Sequence, residues 1–297
     1  LVDSLRNDDH LRRVFFQKLR LMLYGGAGLS QPVMDELQSM AVAETGSRIM
    51  MTTGYGLTES TSGCMVIYFP TDKVGIGLPL PGVETRLVPL EGDRFEIRLR
   101  GPNIMPGYLD NPDATAEAFD EDGFFRTGDA ARFHDADHPE QGLAYAGRLA
   151  EEFKLSSGTW VRSGAVRAEV LAACAPLLTD LLLCGINEPF LAALAVPNIG
   201  GMQSVSGLDS NDPAVLTAHP AVRAYLQQCL NDYNKRFPGN STSLARLAFM
   251  ERLPDPQRHE ISDKGTINQR IAAENRSDEI AALFAPEPDS HTFLLSN

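Results

Sequence analysis

The chain has 297 residues, 43% of them hydrophobic, enough to bury one large core or two smaller ones. With 39 acidic and 26 basic side chains the net charge is -13, which argues against nucleic acid or an anionic membrane as partner; any phosphate site must be local. Cys64, Cys174, Cys184 and Cys229 are too sparse for a disulfide scaffold and form no C-x-x-C pair, so a reducing cytoplasm is the expected compartment.

Residues 1 to 20 read as an amphipathic helix, with Arg12, Arg13, Lys18 and Arg20 among Leu11, Phe15, Phe16 and Leu19, and not as a signal peptide. No apolar run reaches the roughly 20 residues that a bilayer span needs. The chain starts without Met inside that helical pattern, and an upstream portion is expected. Next, Leu21 to Tyr24 predicts a strand, Pro32 to Glu44 a helix and Ile49 to Thr52 a second strand, a βαβ texture. Val83 to Leu90 and Phe95 to Arg100 predict paired strands around Glu91-Gly92-Asp93-Arg94, and Asp122-Gly123 turns into Phe124 and Phe125, so this stretch is expected to form a small barrel or distorted sheet.

After Gly147-Arg148 the texture becomes a compact α+β unit. Helices are predicted over Arg162 to Cys174, Pro220 to Phe237 and Thr266 to Phe284, with strands over Leu181 to Ile186, Leu191 to Val196 and Leu244 to Met250. Gly200 to Pro213, rich in Gly, Ser, Asn and Asp, predicts a surface loop. The expected organisation is an α/β fold in two domains, residues 1–148 and 149–297.

Several short motifs carry chemistry. Tyr24-Gly25-Gly26-Ala27-Gly28 falls between a strand and a helix, where glycines admit a flat ligand close to the main chain or simply make a tight turn. In Tyr55-Gly56-Leu57-Thr58-Glu59 the Tyr55 ring can stack on a base while Gly54 and Gly56 keep side chains clear, although a core tyrosine beside a turn reads the same. Thr58 can bond a phosphate oxygen and Glu59 can hold magnesium, a hard cation that takes oxygen ligands; the pair also suits a helix start. In Phe125-Arg126-Thr127-Gly128-Asp129, Asp129 can accept both hydroxyls of a ribose or be an ordinary turn aspartate. Arg148 can reach the same ribose or a phosphate with its fork of donors, or sit plainly on the surface. Lys264, in Glu260-Ile261-Ser262-Asp263-Lys264-Gly265-Thr266, can place one positive charge on a reacting carboxylate and phosphate, or pair with Asp263 in solvent.

In order and approximate spacing these pieces, together with Lys154 and Gly158, resemble the adenylate-forming superfamily of acyl- and aryl-CoA synthetases along nearly the whole chain. Within it, Gly147 to Val161 and Ser262 to Arg270 look most like feruloyl-CoA synthases. The resemblance implies ATP, Mg2+ and coenzyme A as cofactors: a carboxylate attacks the α-phosphate of ATP, giving an acyl-adenylate and pyrophosphate, and the thiol then displaces AMP. It implies Tyr55 on adenine beside Gly25, Gly26, Ala27, Gly54 and Gly56, Thr58 on phosphate, Glu59 on magnesium, Asp129 and Arg148 on ribose, and Lys264 on the first transition state. Lys154 and Gly158 would be cofactor-binding, the Gly158 loop lining the pantetheine channel after the small domain turns about a hinge at Arg148 to Ala150.

The chain departs from the family's pattern at Ala150, where Asp or Lys is usual, at Thr53, where many members carry Gln, and around Lys264, which Asp263 precedes and Gly265-Thr266 separates from Ile267. The family's Ser/Thr/Gly-rich phosphate loop belongs upstream of Gly25, and residues 1 to 24 hold no counterpart. The expectation is therefore the carboxy-terminal portion of a longer ligase for an aromatic acid, inactive alone. Two alternatives share the motifs: an adenylation domain that loads a carrier protein, and a non-catalytic nucleotide-binding remnant.

Overall fold

The computed structural model describes residues 1–26, 28–262 and 265–295; Ala27 and Lys264, both singled out by sequence, lie outside the described residues. Its contacts divide the chain into two units, Leu1–Leu149 and Ala150–Asn297.

The first unit opens with two helices, α1 (Val2–Asn7) and α2 (Asp9–Phe16), where periodicity predicts one. Asp8 separates them: its backbone is extended and its side chain accepts the Leu11 N–H, capping α2. Strand β1 (Leu21–Tyr24), helix α3 (Gln31–Thr45) and strand β2 (Met50–Tyr55) then form the expected βαβ unit. Helix α3 has Pro32 in its first turn and stops at Gly46, whose φ of 73° is left-handed. Leu5, Phe16, Met34, Leu37, Ala41, Ile49 and Met51 bury one core around these elements.

Strands β1 and β2 pair in parallel, from Leu21 opposite Met50 to Tyr24 opposite Thr53. Both therefore end at one edge of the sheet, and the segments starting at Gly25 and Gly56 leave it side by side, where open α/β sheets bind ligands. Strands β3 (Met65–Val66) and β4 (Leu78–Pro79) extend this sheet antiparallel.

A second sheet holds β5 (Glu84–Pro89), β6 (Phe95–Arg100), β7 (Phe125–Phe133) and β8 (Leu143–Arg148), all antiparallel, with helix α4 (Pro112–Ala118) between β6 and β7. It is an open sheet and not the barrel-like body that the strand pattern suggests. Among the described residues β5 and β8 do not pair. The start of β8 is instead engaged by Gly77 and Ile76, through Leu143 N–H to Gly77 O at 3.0 Å and Ile76 N–H to Leu143 O at 2.7 Å.

In the second unit β9 (Phe153–Lys154) pairs with β10 (Trp160–Val161), ahead of helix α5 (Ser163–Ala173). Strands β11 (Leu178–Cys184) and β12 (Ala192–Pro197) form an antiparallel pair. Helices α6 (Ile199–Ser206), α7 (Pro213–Ala218) and α8 (Pro220–Arg236) follow, then β13 (Arg246–Phe249), α9 (Gln269–Asn275), α10 (Ser277–Phe284) and β14 (Phe293–Leu294). The sheet runs β11-β12-β13-β14. Strand β12 is buried on both faces: Ala193 and Ala195 join Val166, Val170, Leu226 and Leu230 on one side, while Ala192, Leu194 and Val196 join Ala272 and Leu283 on the other.

Two expectations fail here. The first part of the polar segment 200–213 is helix α6, because Asn198 caps it through the Gly201 N–H, Met202 is fully buried, and Gly201 passes so close to Pro176 that no side chain fits. The single final helix is two, broken at Arg276. That residue has φ -120° and ψ 28°, and its guanidinium turns inward to Glu260 at 3.0 Å and Glu279 at 3.0 Å.

Glu260 and Arg276 are both fully buried. Burial alone would raise the Glu260 carboxyl, but the Asp255 N–H and the Arg276 guanidinium outweigh it and hold the group below its ordinary pKa. Such a group stabilises the fold above its unfolded pKa and loses that contribution as pH falls through the folded value. Acid denaturation should thus include a component that develops below about pH 4.3. Glu260→Gln should remove that component and cost about 3 kcal/mol at pH 7, since Arg276 keeps Glu279. Urea titrations at pH 3 to 7 measure both.

Candidate functional site

Strand β7 is irregular where it matters. Its register slips against β6 between Glu96 and Arg98, and against β8 between Asp129 and Ala131. Gly128 takes the left-handed φ of 68° that this distortion requires. Thr127 ties it down: its hydroxyl donates to Ile97 O at 2.6 Å and accepts the Asp129 N–H at 3.0 Å. The result is an Asp129 side chain only 3% exposed yet surrounded by donors.

Three side chains meet that carboxylate. The Tyr55 hydroxyl donates to Oδ2 at 2.7 Å; the Tyr145 hydroxyl and Arg148 Nε donate to Oδ1 at 3.2 and 3.1 Å. Arg148 stands directly opposite Asp129 in the β7–β8 ladder. The Tyr55 and Tyr145 rings lie 6.5 Å apart at 40°. Burial first, and then the Asp129 charge, push the Tyr55 phenol far above its ordinary pKa, so it stays a neutral donor. Tyr145 and the Arg148 side chain are about half exposed, at 47% and 49%. A diol arriving from solvent can replace these two donors on Oδ1 while Tyr55 keeps Oδ2.

The loop after β2 is set by Gly56. A Cβ there would lie 2.6 Å from Gly63 Cα, so the glycine permits the main chain to double back, and Cys64 N–H bonds Tyr55 O at 2.8 Å. Its need is this approach of backbone to backbone, beyond the clearance for a ligand that sequence suggests. Gly54 has ordinary space, its nearest neighbour being Met65 O at 3.8 Å. Thr58–Ser60 then form a single 3-10 turn, whose Ser60 hydroxyl accepts the Leu57 N–H at 2.9 Å. Thr58 is exposed; Glu59 accepts the Tyr108 hydroxyl at 2.9 Å.

Tyr55, Asp129 and Arg148 are thus brought together, with Tyr145 and Thr127 as partners that sequence reading overlooked. Tyr145 lies three residues before Arg148, a spacing that could have flagged it. Gly25 and Gly26 are exposed beyond β1 with open space around them. In the second unit, Lys154 Nζ sits 4.9 Å over the Trp160 ring, and Gly158 makes the β9–β10 turn with φ 81° and N–H to Leu155 O at 2.8 Å. A cavity of about 320 Å³ in this unit, lined by Pro213, Phe249 and Leu283 among others, involves none of the sequence-predicted site residues.

Residues 1–109 match the family described as AMP-binding enzyme. A probable CoA ligase from Humulus lupulus is 28% identical over 264 residues, covering 84% of this chain and 38% of the relative. A long-chain-fatty-acid–CoA ligase of Homo sapiens is 34% identical over 174 residues, covering 53% of this chain and 23% of the relative. The chain therefore spans well under half the length of these relatives. The fold is like that of a carboxylic acid reductase didomain from Segniliparus rugosus, an adenylation domain with its carrier domain in complex with AMP, at a TM-score of 0.69 and 22% identity over 95% of this chain and 37% of that one. The sequence matches are thus to an AMP-binding enzyme model over residues 1–109 and to CoA ligases over part of their length, and the likeness to the solved didomain is one of fold.

Replacing Gly56 by Ala forces a main-chain shift in the loop that carries Glu59. A loss of about 1–3 kcal/mol is expected, the usual range for overpacking, read from the urea midpoint.

Proposed function

We propose, on the premise that this chain is part of an AMP-binding enzyme, that it supplies the ribose-facing and magnesium-facing side of an ATP-dependent acid–CoA ligase. The observation that carries this reading is the Asp129 carboxylate, buried at the β7 bulge and held by Tyr55, Tyr145 and Arg148. A carboxylate accepts only, and the two hydroxyls of a ribose are donors of the kind it already binds. The Tyr55 ring offers adenine a face, and the exposed Thr58 offers phosphate a hydroxyl.

Among the described residues no three His, Cys, Asp or Glu side chains gather as a metal site. The single carboxylate Glu59 nonetheless fits magnesium, which uses one or two protein carboxylates and completes its shell with phosphate oxygens and water. Bound there, the ion would neutralise charge on the polyphosphate. The chain's own part is to orient: Asp129 and Arg148 hold the ribose while the substrate carboxylate oxygen bonds to the α-phosphorus and pyrophosphate departs. In the second stage the thiol sulfur bonds to the acyl carbon, AMP leaves and the thiol proton is released. Lys264 is assigned to charge developing in the first stage, Lys154 to cofactor binding, and Gly158 to the thiol stage with residues 149–297 as a lid; these assignments rest on the sequence resemblance.

The acid is read as aromatic and hydroxycinnamate-like, from the Gly147 to Val161 and Ser262 to Arg270 stretches. Cytoplasmic location rests on cysteine usage. The likeness to a didomain with a carrier protein favours one second reading, loading of a carrier thiol. Offering the full-length protein free coenzyme A or a phosphopantetheinylated carrier separates the two.

Residues 1–297 by themselves should bind AMP without forming it from ATP and acid. Asp129→Ala should weaken AMP about 10- to 100-fold by calorimetry, the equivalent of the ~1.5–3 kcal/mol typical for hydrogen bonds to a charged group. Equal binding by both chains would overturn the ribose assignment, and acid-dependent AMP release by this chain would overturn its inactivity. In the full-length protein, Lys264→Ala should slow adenylate formation at least 100-fold and spare thioester formation from preformed adenylate. Comparable loss in both half-reactions would refute its role.

A further inference from the structure

The connection between β6 and β7 carries a second aromatic side chain to the loop after β2. Met105 N–H donates to Glu59 O at 2.8 Å, fastening this connection to the 3-10 turn at its backbone. Beyond it, Gly107 passes against Thr115, where an added Cβ would lie 2.7 Å from Thr115 Cγ2. Tyr108 N–H donates to Thr115 Oγ1 at 2.9 Å, and Thr115 Oγ1 donates to Asn111 O at 2.9 Å. Asp110 adopts the left-handed φ of 52°, and Asn111 caps α4 through the Ala114 N–H at 3.1 Å. A run of specific contacts thus fixes the backbone of Tyr108, and its hydroxyl meets Glu59 Oε1 at 2.9 Å.

We propose that Tyr108 is a positioning residue for Glu59: its phenol occupies one carboxylate oxygen, so that the other is presented to a divalent cation as a one-oxygen ligand. The proposal rests on the reading of Glu59 as the magnesium ligand. Among the described residues, Tyr108 is the only side chain hydrogen-bonded to the Glu59 carboxylate. A neutral donor suits this task. A lysine or arginine in its place would orient the carboxylate but cancel the charge that attracts the cation, whereas a phenol orients it and leaves the charge intact. Magnesium demands a tight octahedron, which a one-oxygen contact fits and a carboxylate chelating through both oxygens strains. Hydrogen bonds to a metal's ligands commonly govern its affinity through the ligand's orientation.

The test uses the full-length protein with Mn2+ as the probe, its affinity read by electron paramagnetic resonance in the presence of ATP. Tyr108→Phe keeps the ring and removes the donor, and should weaken Mn2+ by about tenfold, the lower end for loss of such a partner. Glu59→Gln should weaken it further, and Tyr108→Phe added to Glu59→Gln should change nothing more. If Glu59→Gln loses Mn2+ but Tyr108→Phe binds it as the unaltered protein does, the positioning role is overturned and the Glu59 assignment stands. If Glu59→Gln binds Mn2+ unchanged, both are overturned. If Tyr108→Phe weakens Mn2+ equally with and without Glu59, the phenol acts on the site by another route and the proposal fails.

Discussion

A buried carboxylate without partners is costly, and Asp129 is 2% exposed. The first unit is arranged so that this group is never alone. Tyr55 comes from the mixed sheet that begins with β1 and β2, Tyr145 and Arg148 from the antiparallel one, and all three donate to it. The same residue that forms the centre of the candidate site therefore joins the two sheets, next to an apolar cluster of Cys64, Met65, Ile76, Ile97, Leu99, Ala131 and Leu143 that also spans them. Thr127 and Gly128 exist in the form they do because a regular strand would send the next side chain elsewhere.

Glu59 is the opposite kind of carboxylate. It is half-buried, is anchored at its backbone by Met105 and meets one neutral donor, Tyr108. Asp129 is engaged by three donors, whereas Glu59 meets a single one at its carboxylate among the described residues. The difference comes from their neighbours, since both are simple acids beside a glycine-containing turn in sequence.

The second unit shows another use of buried charge. Glu260 and Arg276 sit at the foot of the segment 261–267, where Ser262 N–H bonds Thr266 O at 2.8 Å. Ile267 N–H donates to the buried Asp180 at 3.0 Å, and Gln269 bonds the edge of β11 at Leu181 O and Leu183 N–H. An apolar pair of similar volume could stabilise the fold as well. Polar partners instead impose one direction on the chain entering and leaving this segment.

The local patterns in the sequence were sufficient for the elements whose signals are local. The βαβ start, the hairpin of β5 and β6 and helix α8 follow from apolar period, turn residues and caps, and Tyr55, Asp129 and Arg148, which the structure brings together, stand in motifs that are short and ordered. The polar run at 200–206 reads as loop until Met202 and Gly201 find Pro176 and the core, and the last helix reads as unbroken until Arg276 turns inward to Glu260. Likewise, Thr127 and Tyr108 carry no signal by themselves, and Tyr145 only its spacing from Arg148. Their roles arise from strand register, a bulge and a return loop that bring residues 16, 30 and 49 positions apart into hydrogen-bond reach. Sequence determined which chemical groups the chain owns and most of its local structure; tertiary structure alone decided which of those groups face one another, because long-range pairing depends on geometry that no local pattern encodes.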